Sequence, residues 1–242
     1  NILGITLVGV VPDSEKIIVA SNRGEPIVLD NKNSPPGIAF DKTARRLSGE
    51  EGEVLNLDNL NKYEYKITSQ NNEDGIIEYL ENQIISSDKF FFEIGFDFYE
   101  FNSFNLIKKK WSGVLIDGDQ IKCDKLNCCI QKYYKNNNIQ IFNDFINYEN
   151  INKKIERSIN KKNFDFFSLD TDGMDYWILE NLYFKPKIIC VEFNPWLGKY
   201  DQLVIPRSLN FNYQSDMYYG ASLKAYKSLL NNKGYKLICN DI

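Results

Sequence analysis

The chain has 242 residues, of which 43% are hydrophobic, and a formal net charge of −4. It can bury one substantial core, and its charge argues against a nucleic-acid partner. No apolar run reaches the roughly 20 residues that span a bilayer and no signal peptide opens the chain, so the expected compartment is the cytoplasm, without stable membrane insertion. Histidine is absent, which excludes Ser-His-Asp and Cys-His nucleophiles, a histidine base and a histidine-ligated metal.

The cysteines Cys123, Cys128, Cys129, Cys190 and Cys239 are odd in number and lack C-x-x-C spacing. They read as reduced thiols, with ordinary helix packing expected for the adjacent pair. The basic runs at 108–110 and 161–162 read as solvated helix ends or loops.

About the first 58 residues are rich in glycine and proline and poor in aromatics, with "LVGVVPDSEKIIVASNRGEPIVLDN" followed by "PGIAFDKTARRLSGEE". Residues 3–58 resemble the carboxyl-terminal end of MinD, the ParA-type ATPase that positions bacterial division sites. By position, the resemblance puts Val11, Pro12 and Asp13 after that family's last strand, in a segment that bounds the nucleotide base. The phosphate loop G-x-x-x-x-G-K-[ST] occurs nowhere in the sequence, so no ATPase activity is expected of this piece alone. An amphipathic membrane-targeting tail is not recognisable after it. The chain begins at Asn1 and reads as a piece of a longer frame, with a genuine fusion and an assembly join near residue 60 both open. Residues 59–74, polar and rich in asparagine, read as a linker.

From residue 75 helical and strand patterns alternate. "GIIEYLENQII" has helical spacing, "KFFFEIG" reads as a buried strand ending in an acid, "FNLIKKKW" as a helix and "GVLIDGD" as a second acid-ended strand. "IQIFNDF" gives a third strand, "NINKKIERSIN" a helix, "FDFFSLD" a fourth strand, "DYWILENL" a helix and "KIICVEFN" a fifth strand. "YGASLKAYKSLLNNKG" then reads as a helix closed by glycine and "YKLICND" as a last strand. The fold expected is an α/β, doubly wound, mostly parallel sheet carrying a small N-terminal α/β fragment.

In such sheets ligands bind at the carboxyl ends of the strands, where Glu93, Asp117 with Asp119, and Asp170 with Asp172 fall. Gly95 suits close backbone approach to a ligand, and Asp117 suits a ribose diol. At "LDTDGMDYW" the acids Asp170, Asp172 and Asp175 meet Gly173 at a strand-to-helix junction. Capping of the following helix by Asp172 or Asp175 is the structural alternative to a functional role. Asp170 and Asp172 are expected to face Glu192 and Asn194 across the cleft edge. These oxygens suit either polarising a substrate hydroxyl or holding a hard cation such as Mg²⁺, and no dedicated metal site is assigned.

The blocks "FFEIG", "WSGVLIDGD", "DFFSLDTDGMDYW", "KIICVEFNPWLG" and "YYGASLKAYKSLLNNKGYKL" resemble those of FkbM-like S-adenosylmethionine-dependent methyltransferases. The resemblance runs in order over residues 73–240 and implies a class I (Rossmann-like) methyltransferase domain over residues 75–242. It implies cofactor binding by Glu93, Gly95, Asp117, Asp119 and Asp170, with Asp170 beside the sulfonium. It also implies methyl transfer to a hydroxyl oxygen of a small molecule, a sugar or a glycan precursor. Asp170, Asp172, Glu192 and Asn194 are the catalytic candidates, a carboxylate taking the proton in the absence of histidine. Tyr218, Tyr219 and Ser222 are candidates to line the acceptor pocket. The sequence departs from the family at "GFDFYEFNSFN", where Phe96 and Phe98 stand in a normally glycine-rich loop. Two alternatives therefore remain: a non-catalytic Rossmann-like binding module, and a remnant of a MinD-type ATPase without its phosphate loop. One of Asp172 and Asp175 is expected to cap the helix, and replacement of Asp175 by Asn is expected to do little.

Overall fold

The computed structural model describes residues 60–83, 89–135, 138–159, 164–198, 200–214 and 217–239, together with the isolated positions 22, 23 and 40. The chain separates into two compact units, residues 1–62 with 79–85, and residues 63–78 with 86–242. Most of the first unit, including Val11, Pro12 and Asp13, lies outside the described residues.

In the second unit, β1 (Phe90–Ile94), β2 (Ser112–Asp117), β3 (Ile139–Asn143), β4 (Phe166–Leu169) and β5 (Ile188–Val191) form one sheet in the order β3-β2-β1-β4-β5. Every pairing is parallel. Helix α1 (Glu73–Gln83) is divided between the two units after residue 78, and the helices of the second unit are α2 (Phe104–Lys108), α3 (Gln120–Tyr133), α4 (Ile151–Ser158), α5 (Asp175–Asn181) and α6 (Leu223–Asn232). Five parallel strands joined through helices make an α/β, Rossmann-like fold.

The period-two pleat explains why the strands read as continuous apolar runs. Phe90, Phe92, Ile94, Val114, Ile116, Phe167 and Leu169 enter one core with Ile151 and Ile155 of α4, Ile178 and Leu179 of α5, and Ala225 and Tyr226 of α6. Their alternates Phe91, Leu115 and Phe166 enter the other, with Leu106 and Ile107 of α2 and Cys123, Leu126 and Ile130 of α3. Both faces of the central strands are covered, so alternation disappears from the sequence.

Two expectations need correction. The segment 235–239 forms no strand. Leu237 is exposed, and the segment is tied down instead by the Tyr235 hydroxyl, which donates to the Pro186 carbonyl at 2.8 Å. The neighbouring strand β5 is only half-buried along its length, as an edge strand is. The helix expected from residue 219 begins at Leu223, because the Ser222 side chain accepts the Ala225 N–H and caps it. Among the described residues no helix is long and apolar enough to cross a membrane.

Candidate functional site

Connections leave β1 and β4 toward opposite ends of the sheet, and between neighbouring strands of this kind the loops diverge to open a crevice. Gly95 follows β1 at φ +74, with its N–H on the Ile116 carbonyl at 2.9 Å. A Cβ there would stand 1.5 Å from the Asp170 carbonyl oxygen. The glycine is therefore required by the close approach of the two strand ends, a sufficient reason for it within the protein itself.

Glu93 is 1% exposed and accepts the N–H groups of Asn102 and Ser103, both at 2.9 Å. Burial pushes its pKa to about 7. This carboxylate anchors the loop into α2, so its role is positioning that loop, a correction to its expected cofactor contact. Asp119 caps α3 through one oxygen, Oδ1, which accepts the Ile121 and Lys122 N–H groups, and the residue is exposed. Asp117 holds the Phe96 N–H at 3.1 Å and the Asp119 N–H at 2.7 Å, one on each oxygen. Both oxygens keep a further lone pair, and the residue is partly exposed. Beside it the exposed ring of Phe145 lies over Gly118, 2.5 Å from where a Cβ would be.

The acids of the 170–175 turn divide by role. Asp175 is 2% exposed and accepts the Thr171 N–H and hydroxyl, both at 2.9 Å, and the Gly173 N–H at 3.1 Å. It stitches the turn, while Asp172 adopts φ +53 with an exposed side chain, and the helix that one of the two acids was expected to cap has no side-chain cap at its N-cap residue, Met174. Oxygens of Asp170, Asp172 and Glu192 all lie within 4.8 Å of one another. Asp170 and Glu192 are hydrogen-bonded to each other; burial, then neighbouring acids, push Asp170 to about 6 and Glu192 to about 9.

Asn194 does not join them. It is fully buried, donates to the Met217 and Tyr219 carbonyls at 2.8 and 2.9 Å and accepts the Trp196 N–H at 2.9 Å. Both of its amide N–H groups are spent on holding that loop. Ser222, also fully buried, donates to the Asp201 carbonyl at 2.6 Å and accepts the Leu203 and Ala225 N–H groups. It is a structural cap and does not line a pocket. Tyr218 is exposed. Tyr219 is half-buried against Tyr213, and burial followed by the Glu192 charge pushes it to about 12. Tyr226, which sequence reasoning missed, is 2% exposed and lies in the field of Asp175, Glu192 and Asp170. Its position in α6 reads as an ordinary core position, and no local pattern distinguishes it.

Phe96 corrects the reading of the glycine-poor loop. Its side chain is 4% exposed and packs with Phe101, Leu106 and Leu115 in the core, so it does not project toward the crevice.

About a quarter of the chain is homologous to septum site-determining proteins MinD. The match is 62% identical over 60 residues with that of Emiliania huxleyi, covering 25% of this chain and 22% of the relative. It is 54% over 57 residues with that of Guillardia theta, 24% and 21% of the two chains. It is 47% over 51 residues with that of Synechocystis sp., 21% and 19%. These lengths suit the resemblance read over residues 3–58. No family model matches the chain and no solved structure matches it. None of these three relatives is a methyltransferase, so the FkbM-like resemblance of residues 73–240 rests on its sequence blocks. The chain spans about a fifth of the length of the curated relatives it matches.

Proposed function

We propose that the α/β unit binds a nucleoside-containing cofactor, S-adenosylmethionine, at the carboxyl edge of its sheet and transfers a methyl group to a hydroxyl oxygen, of a sugar or glycan precursor. The observation that supports this reading is the β3-β2-β1-β4-β5 order, which brings the carboxyl ends of β2, β1 and β4, with Asp117, Gly95 and Asp170, side by side. The residues there fit the group. Asp117 retains acceptor capacity for a ribose diol, the Phe145 ring beside it offers a stacking face for a base, and Phe96 leaves the loop unobstructed.

Bound S-adenosylmethionine supplies an electrophilic methyl group on a sulfonium. What remains for the protein is to orient the acceptor and take its proton. Burial and the neighbouring acids raise the carboxyl groups of both Asp170 and Glu192, so the pair takes up a proton more readily than free carboxylates do and is suited to accept the one that the acceptor hydroxyl loses. Titration calorimetry with S-adenosylmethionine tests the reading. Saturable heat supports it, and no heat or thermal shift at millimolar cofactor removes it.

A second reading, a remnant of a MinD-type protein, is favoured by the 62% identity over 60 residues. It assigns the first unit, and through it the chain, to division-site positioning. A fluorescent fusion concentrating at the division site, dependent on residues 1–58, supports it; uniform distribution counts against it. The third reading, a non-catalytic binding module, keeps only Phe98, half-buried in that loop, as its support, because Phe96 is turned into the core.

A further inference from the structure

The carboxylates of Asp170, Asp172 and Glu192 come from the end of β4, the turn after it and the residue after β5, and their oxygens lie within 4.8 Å of one another. Oxygen ligands sit about 2.1 Å from Mg²⁺ and about 2.4 Å from Ca²⁺, so oxygens on opposite sides of such an ion are about 4.2–4.8 Å apart. The cluster already has the span of a hard cation's coordination sphere. Carboxylates at strand ends are common without an ion, and a second observation is needed.

It lies on α6. The Tyr226 hydroxyl is buried and has no hydrogen-bond partner. It sits 3.9 Å from where a Cβ of Gly220 would stand, and the Gly220 N–H binds the Gly173 carbonyl, inside the Asp170–Asp175 turn. It also lies in the electrostatic field of Asp175, Glu192 and Asp170. A buried hydroxyl without a partner is costly, and it calls for an oxygen that the protein does not supply. Hard cations held by a few carboxylates keep several waters, which are such oxygens. Of the nearby polar groups, Asp175 Oδ1 accepts twice and Oδ2 once from the turn, the Asn194 amide holds the loop, and none of them reaches the Tyr226 hydroxyl.

We propose that Asp170, Asp172 and Glu192 bind one hard divalent cation of the Mg²⁺, Mn²⁺ or Ca²⁺ class, with the Tyr226 hydroxyl hydrogen-bonded to one of its waters. Three carboxylates leave coordination positions for waters and for a hydroxyl-bearing acceptor, which links the site to the methyl transfer proposed above without depending on it. Cation binding is measured without cofactor, and cofactor binding with EDTA present, so either reading fails separately.

The test titrates Mn²⁺ into the full chain and follows free Mn²⁺ by electron paramagnetic resonance. Each variant's thermal melt is checked first, so that a loss of binding is read only in a folded protein. One saturable site is expected, displaced by Mg²⁺ or Ca²⁺ and lost in the Asp170→Asn, Glu192→Gln double variant. Affinity should fall about tenfold in Tyr226→Phe, the order found when a group that orients a metal's ligands is removed. Asp124→Asn, at an exposed acid on α3, should bind as the parent does. A Mn²⁺ titration that never saturates, a site surviving in the double variant, or parental affinity in Tyr226→Phe overturns the proposal.

Discussion

Asp170 and Glu192, one residue beyond the ends of adjacent parallel strands β4 and β5, are joined by a hydrogen bond between their carboxyl groups. An ionised carboxylate only accepts, so the pair must hold a proton for the bond to exist. Burial and the neighbouring acids raise both groups, Glu192 the more, so the pair retains that proton above the usual carboxylate range.

This pair makes stability pH-dependent. Unfolded, Glu192 returns to its ordinary 4.5, so between there and about 9 the folded state holds a proton that the unfolded state lacks. Its contribution to stability is full below 4.5 and is lost as pH rises through about 9. Thermal melts in EDTA should show the midpoint falling from acidic to alkaline pH, with a shallower fall in Glu192→Gln. Equal slopes for the two proteins would place the shared proton elsewhere.

Asp170→Asn keeps one oxygen acceptor, so the fold should persist while the proposed methyl transfer falls on the order of 10²-fold. In the parent, kcat/KM should rise with pH through about 6, as Asp170 ionises. The measurement is initial rate against pH with a hydroxyl acceptor, and full activity in Asp170→Asn would show that this strand end is not the reaction site.

Asp175→Asn, expected from the sequence to do little, should be destabilising. Its carboxylate accepts three hydrogen bonds from Thr171 and Gly173 while 2% exposed. An amide puts an N–H₂ where one oxygen accepted, leaving donors facing donors, at a cost of about 1–3 kcal/mol. Urea denaturation of parent and variant measures it, and a difference within error would mean that the turn does not depend on this side chain.

Gly95→Ala should fail for two separable reasons. The αL region costs an alanine about 1–2 kcal/mol, and φ here is +74. The added Cβ would also meet the Asp170 carbonyl oxygen at 1.5 Å, which only a shift of the β4 end relieves. Loss of stability should come with loss of cofactor heat, and a normally stable variant would deny the close approach.

All five strands were legible because residues such as Phe90–Phe92 and Phe166–Phe167 are covered on both faces, and a fully buried strand is written as an unbroken apolar run. Strand ends then located Asp117, Asp170 and Glu192 by position alone. Sequence does not record which acceptors are already filled. Glu93, Asn194 and Ser222 have the residue types of a site, yet backbone N–H and C=O groups distant in sequence occupy them. The cap expected of Asp172 or Asp175 failed for the same reason: Asp175 is filled by Thr171 and Gly173 in the turn before α5. The 235–239 segment misled through its apolar residues, which lie on the surface beside an edge strand.

Phe96 is the last place where residue type and location part. Placed in a loop that its family resemblance makes glycine-rich, it invites replacement by glycine to restore cofactor approach. Its ring is instead 4% exposed, with its centroid 6.2 Å from that of Phe101, inside the core that carries α2 and α3. Phe96→Gly should therefore cost about 3–5 kcal/mol or more, the range for emptying a buried aromatic site. Phe98, only half-buried and edge-on to Tyr99 at 5.0 Å, should cost less when replaced. Urea denaturation of both single variants, read beside cofactor calorimetry, separates the effects. A Phe96→Gly protein as stable as the parent and binding S-adenosylmethionine more tightly would show that the ring had been obstructing the crevice. Lower stability with no gain in affinity is the expected result.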